Sequence, residues 1–199
     1  MDNSDTGDIV EMLLHGNQLK RTSRTGWVQR GVSQGETVAA HSYGVAFAAL
    51  ILAQLTEDTV DLGKALALAV LHDLPEGLTG DFPAPAKRFL PPGIKPQMER
   101  AALEEILGDT PFEPRFLEWW QELHADDSPE AQLVHDADKI DLFVQALVFE
   151  EQTGNKHLAE FWQTAPSFHL PQAQAIYEAL RRRRDRLHEG PAPGRHSAG

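Results

Sequence analysis

The chain has 199 residues, 41% of them hydrophobic and 24% charged, the composition of a globular protein long enough for one packed core. Its 18 basic and 30 acidic residues give a net charge of −12, which argues against a polymeric nucleic acid partner, because such proteins must replace the counterions around a phosphate backbone. Cysteine is absent, which excludes disulfides, thiolate metal sites and cysteine nucleophiles, leaves His, Asp and Glu as the strong metal ligands, and fits a cytoplasmic location.

Apolar residues recur at helical spacing along most of the chain, and the strict alternation of a half-buried strand is missing, so an all-α fold is predicted. The first helix spans residues 6–20, with Ile9, Leu13 and Leu14 on one face. The segment MDNSDTGDIVEML carries acids where a secretory signal would carry bases. No apolar run approaches the roughly 20 residues of a membrane span, and the longest covers residues 45–53, so no membrane association is expected. A polar loop leads to a second helix over 36–55, in which Val38, Val45, Ala49 and Leu52 form a buried stripe and His41 occupies an early turn. The third, over 61–74, is so apolar that it should be buried on most sides, and Pro75 ends it. The stretch LPEGLTGDFPAPAKRFLPPGIKP is too long for a plain connection, and long ordered loops often carry function. Helices follow over 96–107 and 113–122. Ser128-Pro129 then opens a long helix to residue 151, with Asp138 in its middle. A last helix over 171–188 ends in basic residues that suit the helix dipole. Residues 1–188 are expected to form a single domain and 189–199, rich in Gly and Pro, a flexible tail.

The pair His72-Asp73 ends the buried third helix, where a carboxylate among apolar neighbours needs a compensating partner. Alone, such a dipeptide reads more readily as a capping histidine and an N–H-bonded aspartate. His41 and Asp138 lie on two other helices, again among apolar residues. Two imidazoles and two carboxylates from three helices make a mixed nitrogen and oxygen site suited to divalent Mn, Co, Ni, Fe or Zn, with calcium disfavoured by the histidines. A second pair, His135-Asp136, follows SPEAQLV, a young helix turn rather than a buried helix end. His15, His124, His157, His169, His188 and His196 have no partner at convincing spacing, and the run from Arg181 to Arg184 reads as a solvated helix end. Phe116, Trp119, Trp120, Phe161 and Trp162 fit either core or an interface between copies.

The set His41, His72-Asp73 and Asp138 resembles the H…HD…D pattern of the HD-domain metal-dependent phosphohydrolase superfamily. The stretches RTGWVQRGV, ETVAAHS, HDLPEGLTGDFPAPAK and DADKIDLFVQALVFE, in order over residues 24–150, are similar to its 5′-deoxynucleotidase branch. The resemblance implies a compact helical bundle, often a homodimer, holding a divalent ion with His41, His72, Asp73 and Asp138. Its substrates would be deoxyribonucleoside 5′-monophosphates, hydrolysed to deoxynucleoside and phosphate. Glu76 matches the acid of the HDxxE segment and would orient the attacking water, while Asp81 matches the aspartate that protonates the departing 5′-oxygen. Trp27 would pack near the sugar. Phosphate falls to Arg24 or Arg30, because Gly26 stands where some relatives carry an arginine directly before the tryptophan; Lys87 is a secondary candidate. The pattern places the last ligand directly before Lys139, which favours Asp138 over His135-Asp136. Ala40 stands where relatives commonly carry an acid, so a hydrogen bond that would orient the adjacent ligand is missing there, with Glu36 the nearest substitute. Two other readings use the same cluster: cleavage of a different nucleotide ester, and a non-catalytic metal- or nucleotide-binding regulatory bundle.

Overall fold

The computed structural model describes residues 3–189. Short polar side chains set the helix starts. The Thr37 hydroxyl accepts from the Ala40 amide at 3.2 Å, the Asp61 carboxylate from Lys64 at 3.0 Å, and the Ser128 hydroxyl from Ala131 at 3.1 Å. Each such cap is worth about 1 kcal/mol. The elements that result are α1 (Asn3–Gln18), α2 (Thr25–Val28), α3 (Val38–Leu55), α4 (Leu62–Leu71), α5 (Glu76–Thr79), α6 (Ala84–Lys87), α7 (Ile94–Leu107), α8 (Glu113–Ala125), α9 (Pro129–Thr153) and α10 (Pro171–Glu189), with a 3₁₀ segment over Lys156–Trp162. The class is all-α: among the described residues the only extended pairing is an isolated bridge between Ser23 and Thr37. Pro129 occupies the first turn of α9, and Gly154, at φ 63°, ends it in the left-handed region that glycine adopts without steric cost.

The long α9 runs through the middle and packs against α3, α4, α8 and α10. Small residues at the crossings, Ala49 on α3, Ala65 and Ala69 on α4, and Ala131, Ala137 and Ala146 on α9, are fully buried and let the backbones approach. Trp27, Phe143, Trp162 and Tyr177 fill one end of this core, and a smaller cluster of Leu103, Leu107 and Trp120 joins α7 to α8. Trp120 and Trp162 are therefore core residues, not parts of an exposed interface.

Several local expectations change. On α1 the predicted stripe does not face inward as a unit: Leu13 and Leu14 are 64% and 56% exposed, because Met12 and Leu19 make the inward contacts instead. The run LALAVL is buried at Leu68, Ala69 and Leu71, while Val70 is 58% exposed. Pro75 does not end the helical path for good. The chain turns tightly over 72–75, and Pro75, in helical conformation, leads directly into α5. The short helices α2 and α6 and the 3₁₀ segment are too brief to show a periodicity in the sequence. The apolar stretch is longer than residues 45–53, for the whole of α3 is long and apolar enough, by length and composition alone, to cross a membrane. Its inner face nevertheless carries His41 and Ser42 and packs on α4, α9 and α10. Residue 189 closes α10; the remainder of the predicted tail, 190–199, and the side chain of Lys87 lie outside the described residues.

Candidate metal centre and adjoining cavity

Three helices deliver the cluster. The Thr37 cap sets the register of α3 and so turns His41 inward in its first turn; α4 ends at His72, with Asp73 in the following turn; and α9 presents Asp138 from its interior. The His41 and His72 Nε2 atoms are 3.3 Å apart. Asp73 Oδ2 lies 3.1 Å from His72 Nε2 and 3.7 Å from His41 Nε2, and Asp138 Oδ1 lies 3.1 Å from His41 Nε2. The other ring nitrogens are committed: His72 Nδ1 donates to the Ala69 carbonyl at 2.7 Å and His41 Nδ1 to Asp141 Oδ2 at 2.7 Å. With both Nδ1 atoms protonated, two Nε2 lone pairs meet the Asp73 carboxylate, and the Asp138 carboxylate approaches from the His41 side, an arrangement that positive charge reconciles. Ligands about 2.1 Å from a single ion lie roughly 3.0–3.4 Å from one another, so the 3.3, 3.1 and 3.1 Å spacings suit a divalent transition ion, while Asp73 and His41, at 3.7 Å, stand slightly wider.

The titration of these groups follows from the same geometry. Burial alone would lower the His41 imidazole, but hydrogen bonds to Asp138 and Asp141 raise it to about 9. His72 is likewise raised, against its burial, by Asp73. Burial would raise the Asp73 carboxyl, yet His72, His41 and Arg24 hold it well below the usual carboxylate range. Asp138, also opposed by burial, is lowered to about 2 by His41 and His72. A proton on His41 thus takes the place that a cation would take.

A cavity of about 260 Å³ opens beside the cluster, walled by Arg24, Trp27, Arg30, Asp81, Phe82, Phe161 and Asp138, among others. Its rim is held by cross-links from loop to loop. The Arg24 and Val38 amides donate to the Glu36 and Thr22 carbonyls at 3.2 and 2.8 Å, fastening residues 22–24 alongside the start of α3. This puts the Arg24 guanidinium 3.8 Å from Asp73 and 3.7 Å from Glu36. Its burial is offset by Asp138, Asp73, Glu36 and Asp81, which keep it firmly charged. Trp27 is buried against Phe149 and Phe161 and donates its indole N–H to Glu36 at 2.9 Å. Arg30 stacks 4.1 Å from the centre of the Phe161 ring, donates to the Gly26 carbonyl and pairs with Glu160. Asp81 Oδ2 accepts from the Thr25 amide and hydroxyl at 2.6 and 2.9 Å, tying the 80–83 turn to α2.

Glu76 is only 8% exposed, one turn beyond Asp73. Burial, with the charges of Asp73 and Asp81 beside it, pushes its carboxyl up to about 9. The structure therefore gathers the ligand atoms of His41, His72 and Asp73 within 4.8 Å of one another, sets Asp138 against His41 at their edge, and places Arg24, Trp27, Arg30 and Asp81 with Asp138 around the same opening. The pair His135-Asp136 lies elsewhere and is structural: fully buried Asp136 accepts the His169 and Leu170 amides at 2.9 and 2.8 Å, and His135 Nε2 donates to the Leu123 carbonyl. Glu36 does not orient His41, since its carboxylate serves Trp27 and Arg24. Sequence reasoning missed Asp141, although its place one turn after Asp138 on the same helix face was the available signal. It also missed Phe82, which stands directly after Asp81.

An HD domain matches residues 16–177, and the chain belongs to the HD-domain phosphohydrolase family. Within that family its similarity is to 5′-deoxynucleotidases. It is 34% identical to the 5′-deoxynucleotidase HDDC2 of Danio rerio, over 90% of this chain and 89% of that protein. It is 31% identical to the HDDC2 of Homo sapiens, over 86% and 84% respectively. Among solved structures, a protein from Pyrococcus horikoshii OT3 is 35% identical with a TM-score of 0.75, covering 87% of this chain and 98% of that one. A conserved hypothetical protein from Pyrococcus furiosus is 34% identical with the same score of 0.75, covering 87% and 99%.

Proposed function

We propose that the protein is a divalent-metal-dependent 5′-deoxynucleotidase, releasing phosphate from deoxyribonucleoside 5′-monophosphates. The observation that carries this reading is the meeting of His41, His72 and Asp73, with Asp138 against His41, at the edge of a cavity that also presents a half-buried guanidinium. Those four side chains would hold Mn, Co, Ni, Fe or Zn. Such an ion, once bound, lowers the pKa of water and polarises a phosphoryl oxygen.

The chain's own groups do the rest. Arg24 rather than Arg30 takes the phosphate, because Arg24 lies beside Asp73, whereas Arg30 is turned toward Phe161, Gly26 and Glu160. Its planar guanidinium offers paired N–H donors to two phosphate oxygens, and it supplies local positive charge on a chain that is otherwise acidic. The sugar lies against Trp27. With the indole N–H spent on Glu36, that wall has no hydrogen bond to give a ribose 2′-hydroxyl, so a ribonucleotide buries the hydroxyl unpaired. Shape and desolvation of this kind discriminate by about 10²-fold at most. Glu76, buried one turn beyond Asp73, would orient the attacking water, and Asp81, across the opening, would face the departing 5′-oxygen.

Phosphate release from matched deoxy- and ribonucleoside 5′-monophosphates, by metal-stripped protein reloaded with each ion in turn, tests the assignment. Metal-dependent release favouring the deoxy series is expected. Protein that binds metal yet frees no phosphate from any nucleoside monophosphate would overturn it.

A further inference from the structure

The His41 imidazole is aimed at the cluster by one contact, from its Nδ1 to Asp141 Oδ2 at 2.7 Å. Among the described residues this is the one hydrogen bond that the Asp141 carboxylate makes. Asp141 follows Asp138 by a single turn of α9, so one helix supplies both a carboxylate facing His41 Nε2 and a carboxylate holding His41 Nδ1. Position 40 cannot serve in its stead, because Ala40 is exposed, turned about 100° from His41 around the helix.

Gly44 explains how Asp141 reaches so far into α3. It lies three residues after His41, on the same face. A Cβ at Gly44 would stand 2.6 Å from the Asp141 carboxyl carbon and nearer still to its Oδ1; the three atoms closest to that point all belong to Asp141. The carboxylate occupies the volume of the missing side chain. Glycine inside a helix costs about 1 kcal/mol relative to alanine, and α3 contains alanine at six other positions, so helix propensity does not account for Gly44.

We propose that Asp141 is the positioning residue of His41, fixing its tautomer and ring angle so that Nε2 faces the cation, and that Gly44 exists to admit it. The inference rests on the metal reading of the cluster. Removing a partner of this kind from a ligating histidine lowers metal affinity by roughly 10–100-fold. Alanine at position 44 should displace the carboxylate and have the same effect. Once residue 141 is itself alanine, the added methyl group enters vacated space and should cost nothing further, a non-additivity that a general loss of packing would not produce.

The test titrates cobalt(II) into metal-stripped, full-length protein, following its visible absorption, for wild type, Asp141→Ala, Gly44→Ala and the double variant. The ¹⁵N resonances of His41 are recorded in the metal-free state above pH 9, where the ring is neutral. Expected are losses of about 10–100-fold in cobalt affinity for each single variant, an affinity for the double variant equal to that of Asp141→Ala, and an Nδ1–H tautomer of His41 that is lost with Asp141. Unchanged affinity and tautomer in Asp141→Ala, or additive losses in the double variant, would overturn the positioning role while leaving the metal reading intact. Wild-type protein that binds no cobalt would overturn the metal reading itself, and this inference with it.

Discussion

The metal cluster and the cavity rim are built by different means. His41, His72 and Asp138 project from helices that meet in the alanine-lined core, so their positions follow from backbone packing. Arg24, Trp27, Asp81 and Arg30 sit on short segments held by a few side-chain bonds, chiefly to Glu36, Thr25 and Glu160. The comparison teaches that the ligand cluster and the rim beside it rest on different contacts. The cluster should tolerate changes in the rim, whereas each rim residue depends on one or two named partners.

The largest effect expected is loss of the cluster. His72→Ala or Asp73→Asn should reduce turnover by about 10³-fold or more, since an ion of this kind supplies several kcal/mol of transition-state stabilisation. Far-UV circular dichroism should be unchanged. Metal affinity should also depend on pH. With Asp138 lowered to about 2 and Asp73 held below the usual range, the carboxylates are already ionised near neutrality, but His41 keeps its proton up to about 9. Metal must displace that proton, so affinity should rise at least about tenfold per unit between pH 6 and 8; calorimetry at three pH values checks this.

On the rim, Arg24→Ala removes charge-assisted bonds worth about 1.5–3 kcal/mol, so kcat/KM should fall about 10–150-fold with metal content unchanged. A fall in metal content as well would show that cluster and rim are coupled. Glu76 gives the smallest effect and one of opposite sign. In the unfolded chain a glutamate ionises near 4.5, whereas the folded, metal-free chain holds this proton to about 9. The folded state therefore binds more protons across that window, and its stability falls as pH rises from about 4.5 to 9. Glu76→Gln removes the penalty. At pH 8 the metal-free variant should melt higher than wild type, by about 2–4 °C for each kcal/mol relieved, while losing activity.

The same division governs what the sequence reveals. Helical periodicity and caps at Thr37, Asp61 and Ser128 disclose the long helices, and the embedding of His41, His72-Asp73 and Asp138 among apolar neighbours marks them as unusual. The rim is harder to read because α2 and α6 are single turns. Nothing local distinguishes Glu36, whose partners Trp27 and Arg24 are fixed by the strap over 22–24. Asp141 escapes notice for a related reason: its bond spans 100 residues, and the glycine that makes room for it looks like an ordinary small residue in a helix of small residues.

The most direct test of the central claim is anomalous diffraction from crystals grown with manganese or cobalt. A single strong peak is expected about 2.0–2.2 Å from the Nε2 atoms of His41 and His72 and from carboxylate oxygens of Asp73 and Asp138. An ordered site with no peak between those four side chains, or a metal bound elsewhere while they remain hydrogen-bonded to one another, would contradict the account.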